Sequence, residues 1–487
     1  MRRTGLSAFN TPATWVAIAT LGWITAAPPA RADPVDVKAG DTRAAVVYSK
    51  LSARPSPTWL QEGVIYEVFP RVFSQRGDLY GVTQQLDRLQ TLGVNILYLM
   101  PLHPQGKVGS KGSLGSPYAV RDYYAINPDY GTAADLERLV VEAHQRGLKV
   151  ILDVVANHTS WDSVLMKHPE FYVHDSAGHI LPPRPEWNDV AHLDYRNPGL
   201  RRYMTDMLVY WLREFDVDGF RCDAAGEVPT DFWEQVRPEL DRVKPDIMML
   251  DEWEQPDLLA HAFNIDYSWT FYQAVAAAIQ GHAPAGDVRM AWEQAAARYE
   301  HNALHMRFSD NQDESRAVTR FGLPGSLAAA AIMLTMDGVP LLYNGMEVGD
   351  TSESAAPALF ERIPIFWAVA ELRPEVPVFY QQMIALRHSH PALTHGAVRW
   401  LHNSEEQRIV TFERAVSDER LVIAVNLSSQ PYSGDIEVGS EEYEDITPRW
   451  KSGSAAACAA GGCRAALPAL TLQAWEFRIF RRVERTR

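Results

Sequence analysis

Cysteine is scarce in this chain, with three in 487 residues. That is too few for a framework of several disulfides. Cys458 and Cys463 lie close together in an Ala/Gly-rich loop and suit one small disulfide in an oxidising compartment. Cys222 alternates with Arg221 and Asp223, so its side chain points to the opposite face and reads as a buried structural thiol. Positive charge is also in deficit: 46 Lys and Arg face 61 Asp and Glu, a formal net charge of -15. An acidic surface disfavours nucleic acid and anionic membranes and suits a neutral substrate. No stretch after the N-terminus reads as membrane-spanning, so stable membrane insertion is not expected. Long internal repeats are missing too.

What is present begins with an export-like leader. Arg2 and Arg3 precede an apolar run over residues 15–27, and Ala30-Arg31-Ala32 fits a small-x-small cleavage site. The expectation is a signal peptide over 1–32 and a periplasmic or extracellular protein. Residues 33–57, rich in Ala, Pro and Asp, are expected as an arm or linker. At 46% apolar the chain can bury a sizeable core, and it is too long for one simple domain.

From residue 64 strand-like runs alternate with amphipathic helical segments. Strands are expected at 64–73, 95–100, 149–155, 217–222, 247–250, near 265, at 304–308 and at 339–343. Helices are expected at 83–92, 132–146, 197–215, 230–243, 326–336 and 379–388. Thr132 can cap its helix, with Asp135 as reciprocal partner. Eight such units favour a closed (β/α)8 barrel, a TIM barrel, over residues 58–393. The sixth unit is poorly defined. Residues 158–197 are Pro-, His- and Asp-rich without periodicity, too long for an ordinary connection, and read as an inserted lobe after the third strand. Beyond 394 separated strand runs at 409–414, 421–427, 434–438 and 470–480 predict a C-terminal antiparallel β-sandwich domain over 394–487.

Carboxylates stand at or just beyond three of these strand ends: Asp223, Asp251-Glu252, and Asp310 with Asp313. A fourth strand closes with Asn157-His158. The C-terminal rim of a parallel barrel is where such enzymes place their chemistry. Acids converging there suit glycosidic cleavage, which needs a carboxylate and a carboxylic acid together.

The segments Asp153-Val-Val-Ala-Asn-His158, Gly219-Phe-Arg-Cys-Asp223, Glu252, Asn311-Gln312-Asp313 and Gly338-Val-Pro-Leu-Leu-Tyr-Asn-Gly-Met-Glu347 occur in order. With Pro117-Tyr118 and Arg121-Asp-Tyr-Tyr124 they resemble the α-amylase family of glycoside hydrolases, family 13. The resemblance implies a retaining hydrolase of α-1,4-glucosidic bonds in starch or maltooligosaccharides. Its alternatives are an exo-acting α-glucosidase, an α-glucan transglycosylase, or a non-catalytic glucan-binding relative. It implies Asp223 as nucleophile, Glu252 as general acid/base and Asp313 as transition-state stabiliser. Tyr118 would offer a flat face to a sugar ring, while His158, Arg221 and Gln312 line the same subsite. Arg221, two residues before Asp223 on one strand face, would lower its pKa and keep it ionised. The nearest competitors for these roles are Asp251 and Glu254 for the acid and Asp310 for the stabiliser. Two departures stand out: Gln312 replaces the usual His, and Ala224-Ala225-Gly226-Glu227 replaces the Lys-His common after the nucleophile. No cofactor is required for the chemistry. Asn157 resembles a calcium ligand of some relatives, which leaves a structural calcium open and its ligands unassigned.

Overall fold

A computed structural model describes residues 46–439, 441–450, 463–465 and 467–483. All elements below belong to the unit Val47–Arg487. The expected leader over 1–32 and the Cys458–Cys463 pairing lie outside the described residues.

Eight parallel strands close into a barrel. In chain order they are β1 (Ile65–Val68), β2 (Ile96–Leu99), β3 (Lys149–Val155), β6 (Gly219–Asp223), β7 (Met248–Asp251), β8 (Ile265–Tyr267), β9 (Leu304–Arg307) and β10 (Val339–Tyr343). Closure is the β1–β10 pairing, Ile65 opposite Leu341 and Glu67 opposite Tyr343. Nearly every strand residue is buried, because helices cover the outside and side chains fill the inside. Between β3 and β6 lies the lobe, held by a short hairpin of β4 (His158–Ser160) against β5 (Val190–His192).

Local chemistry sets most boundaries. The run 64–73 is not one strand: Pro70 opens a helix, Pro70–Phe73, where its fixed φ and missing N–H cost nothing. The helix expected at 83–92 is two, Leu79–Thr83 capped by Asp78 and Leu86–Leu92 ending at left-handed Gly93. The Thr132–Asp135 capping box forms as expected. β8 has only three residues, which is why its pattern was faint. The apolar helix Ala317–Thr335 is broken at Gly322 (φ 67°), and its second half is buried against the barrel. Residues 47–57 do not hang free: Ala53 N donates to His301 O at 2.9 Å and Arg54 pairs with Asp241 at 2.5 Å.

The C-terminal part is antiparallel. Its strands are β11 (Ala397–Trp400), β12 (Ile409–Val416), β13 (Glu419–Asn426), β14 (Tyr432–Asp435), β15 (Tyr443–Asp445), β16 (Cys463–Arg464), β17 (Ala469–Leu472) and β18 (Phe477–Arg482). Six form one sheet in the order β11-β12-β13-β18-β15-β16, and β14 pairs with β17. The run 470–480 splits into β17 and β18 at a turn where Trp475 takes φ 60°. Strand alternation then divides the large sheet's side chains. Leu421, Ile423 and Val425 join the main core shared with the barrel, while Val422 and Ala424 meet Tyr432, Leu470 and Leu472 of the small sheet.

Asp218, immediately before β6, anchors the strand that carries Arg221 and Asp223. Burial alone would raise its carboxyl, but His144 Nε2 (2.7 Å), the Val150 N–H (2.9 Å) and Lys244 (2.9 Å) together hold it below the usual carboxylate range. Its folded pKa is depressed, so its contribution is present above the unfolded value of about 3.9 and fades as pH falls through that range. Asp218→Asn is expected to cost about 3 kcal/mol at pH 7, with the gap to the parent narrowing below about pH 4. Urea unfolding followed by circular dichroism at both pH values measures it.

Candidate active site

The strand register brings the charged groups together. Asp153 on β3 lies opposite Arg221 on β6, and Cys222 lies opposite Asp251 on β7, so Asp223 and Glu252 stand one level higher, side by side. Arg221 is fully buried. Its Nη1 donates to Asp153 Oδ1 and Oδ2 at 2.8 and 3.0 Å and to Asp223 Oδ1 at 2.9 Å. Its Nη2 lies 2.5 Å from Glu252 Oε1. That contact is a charge pairing without hydrogen-bond alignment. The other Glu252 oxygen accepts from the Ala224 N–H at 2.8 Å.

A second chain of hydrogen bonds leads to Asp313. Tyr118 Oη donates to Asp153 Oδ2 at 3.1 Å, as does Tyr98 Oη at 2.7 Å. Gln312 Nε2 donates to Tyr118 Oη at 3.0 Å and to Asp313 Oδ2 at 3.1 Å. Asp313 is exposed at the mouth, Glu252 and Tyr118 are half-buried, and Asp223 is buried below them. Six of the seven residues singled out from the sequence therefore share one network: Tyr118, Arg221, Asp223, Glu252, Gln312 and Asp313. His158 is not bonded to the Arg221 cluster. It sits on the lobe side, its ring edge-on to Trp187 with ring centroids 5.7 Å apart, and meets the network through the Tyr118 backbone.

Electrostatics depart from the expectation for Asp223. Burial pushes its carboxyl up to about 7, and Arg221 only pulls against that rise. The reason is that one guanidinium is divided among three acids in a low-dielectric interior. Burial likewise raises Glu252 to about 8, opposed by Arg221 and reinforced by Asp223. Protein crowded around Asp313, then the charge of Glu252, raises its carboxyl, a rise that solvent at its exposed position moderates. Burial lowers His158 to about 4, so its ring is neutral near pH 7.

The competing acids are engaged elsewhere. Asp310 Oδ2 accepts from the Ala317 N–H at 2.6 Å. Glu254 Oε2 accepts from Thr270 Oγ1 at 2.8 Å and Thr270 N at 3.1 Å. Asp251 faces out of the barrel beside Asp266 of β8. Sequence reasoning missed Glu67, whose fully buried carboxyl has no hydrogen-bond partner among the described residues. A charged residue inside an all-apolar strand run was the signal. It also missed Trp253, whose ring lies across Gly226: a Cβ added there would be 2.3 Å from the indole. Around the mouth, Lys111 pairs with Asp189 of the lobe at 2.7 Å, Ser113 N donates to Glu361 at 2.8 Å, and Arg184 pairs with Glu227.

The chain matches the α-amylase catalytic domain over residues 41–176 and 184–367. It belongs to the α-amylase family of glycoside hydrolases. It is 28% identical to the α-amylase MalA of Haloarcula japonica over 426 residues, 81% of this chain and 60% of that protein, so it spans less than two thirds of that relative. To the intracellular maltogenic amylase of Bacillus subtilis it is 26% identical over 429 residues, 76% of this chain and 69% of that one. The crystal structure of a noncanonic maltogenic α-amylase, AmyB from Thermotoga neapolitana, superposes with a TM-score of 0.79 at 28% identity, covering 88% of this chain and all of that one. These matches correct the expected periplasmic or extracellular location: the Bacillus subtilis relative is an intracellular enzyme, so the family's barrel works without export. The family's chemistry needs no cofactor. Among the described residues no three His, Cys, Asp or Glu side chains are grouped to hold a metal ion.

Arg221→Lys keeps the charge but offers a point donor where a planar fork serves three acids. Its kcat is expected to fall on the order of 100-fold, with the far-ultraviolet dichroism unchanged; kinetics on maltoheptaose measure it.

Proposed function

We propose that the protein is a retaining glycoside hydrolase that cleaves α-1,4-glucosidic bonds of maltooligosaccharides and starch by double displacement. The observation that carries this reading is the single buried guanidinium shared by Asp223 and Glu252, with Asp313 tied to it through Gln312 and Tyr118. In the proposed mechanism Asp223 attacks the anomeric carbon while Glu252 protonates the departing glycosidic oxygen. The covalent glycosyl-enzyme is then hydrolysed by a water that Glu252, now a base, deprotonates. Asp313, exposed at the mouth, grips ring hydroxyls most strongly as the sugar flattens toward the oxocarbenium-like transition state. Tyr118 presents its ring face to the same sugar, and His158 donates from the lobe side. The assigned division is a catalytic barrel over 58–393, a lobe over 158–197 that walls the mouth, and a β domain over 394–487. Relatives named as maltogenic amylases and cyclomaltodextrinases support short or cyclic α-glucans as the preferred substrates.

The mechanism requires Asp223 ionised and Glu252 protonated. With Asp223 near 7 and Glu252 near 8, kcat/KM should be bell-shaped. It falls below about 7 as Asp223 takes a proton and above about 8 as Glu252 loses one. Glu252→Gln is expected to lower kcat on the order of 1000-fold and to remove the alkaline limb. NMR of the reducing end immediately after cleavage should show the α-anomer first; a β-anomer appearing first refutes retention.

A further inference from the structure

Between β2 and the helix Ala133–Gln145 the chain makes an excursion over residues 106–115 that returns to where it left. A Cβ added to Gly115 would lie 3.7 Å from the Gly106 carbonyl oxygen, so the two ends are neighbours. A loop whose ends meet is an Ω-loop, a form that frequently carries function. Shortly past its end stands Tyr118, whose hydroxyl belongs to the active-site network.

The loop ties together two segments far apart in the chain. On one side it meets the lobe: Lys107 N donates to Asp162 Oδ2 at 3.1 Å, and Lys111 Nζ donates to the Glu186 carbonyl at 3.2 Å besides pairing with buried Asp189. On the other it meets the segment after β10: Leu114 N donates to the Phe360 carbonyl at 3.1 Å and Ser113 N to Glu361 Oε1 at 2.8 Å. Arg71, just past β1, donates through Nη1 to the carbonyls of Gly115 and Leu359 at 3.3 and 3.1 Å, which fixes the junction to the barrel. Glycine permits the close approach on both sides. A Cβ would lie 2.1 Å from Ser160 Cβ at Gly106 and 2.6 Å from Phe360 Cβ at Gly112. The result is a continuous wall from the lobe to the β10 segment, on the β1 and β2 side of the rim.

That wall has a chemical orientation. In the barrel order β1-β10-β9-β8-β7-β6-β3-β2, β1 stands across the ring from β7, the strand that leads to Glu252. Glu252 protonates the departing oxygen in the proposed mechanism, so the leaving sugar lies on its side of the mouth. The retained, non-reducing part of the substrate then points toward the wall. We propose that the loop over residues 106–115 is a specificity-determining stop for the non-reducing end, so that the enzyme works inward from chain ends, releases short products and does not cut within long chains. The proposal rests on the α-glucan hydrolase reading of the mouth. It needs no mobile lid, because backbone bonds and ion pairs already hold the loop on both sides.

The test compares cleavage of maltoheptaose with that of maltoheptaose carrying a benzylidene acetal on its non-reducing glucose. With the full-length protein the blocked substrate is expected to be cleaved at least about 100-fold more slowly. Equal rates overturn this proposal and leave the hydrolase assignment standing; no cleavage of either substrate overturns both. Deleting residues 107–114, so that Gly106 joins Gly115, should bring the two rates to within about threefold of each other. An undiminished gap in the folded deletion variant overturns the proposal. If that variant fails to fold, Lys111→Ala/Glu361→Ala, which releases a side-chain tie on each side of the loop, carries the same comparison: a narrowed gap supports the proposal and an unchanged one overturns it.

Discussion

Arg221 has no exposed surface, so its positive charge must be met from inside the barrel. Three carboxyls meet it: Asp153, Asp223 and Glu252. Tyr118 and Tyr267 add ring faces 5.6 and 5.8 Å from its guanidinium carbon. The arrangement is fixed by hydrogen-bond register rather than by side-chain choice alone. Asp153 and Arg221 are direct partners on β3 and β6, and a slip of one residue would send one of them out toward the helices. Everything reactive at the mouth takes its position from that pairing.

Glycine decides how closely the neighbouring backbones approach. Gly219, at φ 150°, opens β6; a Cβ there would lie 1.9 Å from the Met248 carbonyl oxygen of β7. The strand carrying Arg221 and Asp223 therefore packs against the strand leading to Glu252 at a distance only glycine permits. Gly226 repeats the device higher up, letting the indole of Trp253 lie over the turn that follows β6. Where many relatives place Lys-His, this chain presents Gly226 beneath an aromatic plate and Glu227 paired with Arg184 of the lobe. This stretch thus combines a flat apolar surface with a spent ion pair in place of free cations.

Much of the architecture was legible because α/β alternation changes the period of apolar residues from two to 3.6, a signal that survives without knowing the partner. The capping box at Thr132 and the long helix from residue 198 were readable from local chemistry. Boundaries failed where one residue overrode the pattern, as Pro70 did in ending β1 and Trp475 in dividing β17 from β18. The acids at strand ends were legible from position. Their shared dependence on Asp153 was not, since cross-strand register is a long-range property that no local window contains. Glu67 was passed over because an apolar run hides one charge in its count.

Charge arithmetic explains why Gln312 matters. Glu67, Asp153, Asp223, Glu252 and Asp313 all feel one another's charge or that of Arg221, the cation that recurs among their influences. Burial holds Glu67 well above the usual carboxylate range, against the pull of Arg221, so its negative charge is disfavoured. The remaining acids still outnumber the guanidinium. A histidine in place of Gln312 could have taken up a proton and supplied a second cation beside Asp313. The amide cannot. It donates to Tyr118 and Asp313, and its own carbonyl oxygen is left without a partner among the described residues. With no second cation, the excess negative charge is relieved by protons on the acids themselves. That is the condition under which one carboxyl of the Asp223–Glu252 pair stays protonated near neutral pH, as an acid catalyst must.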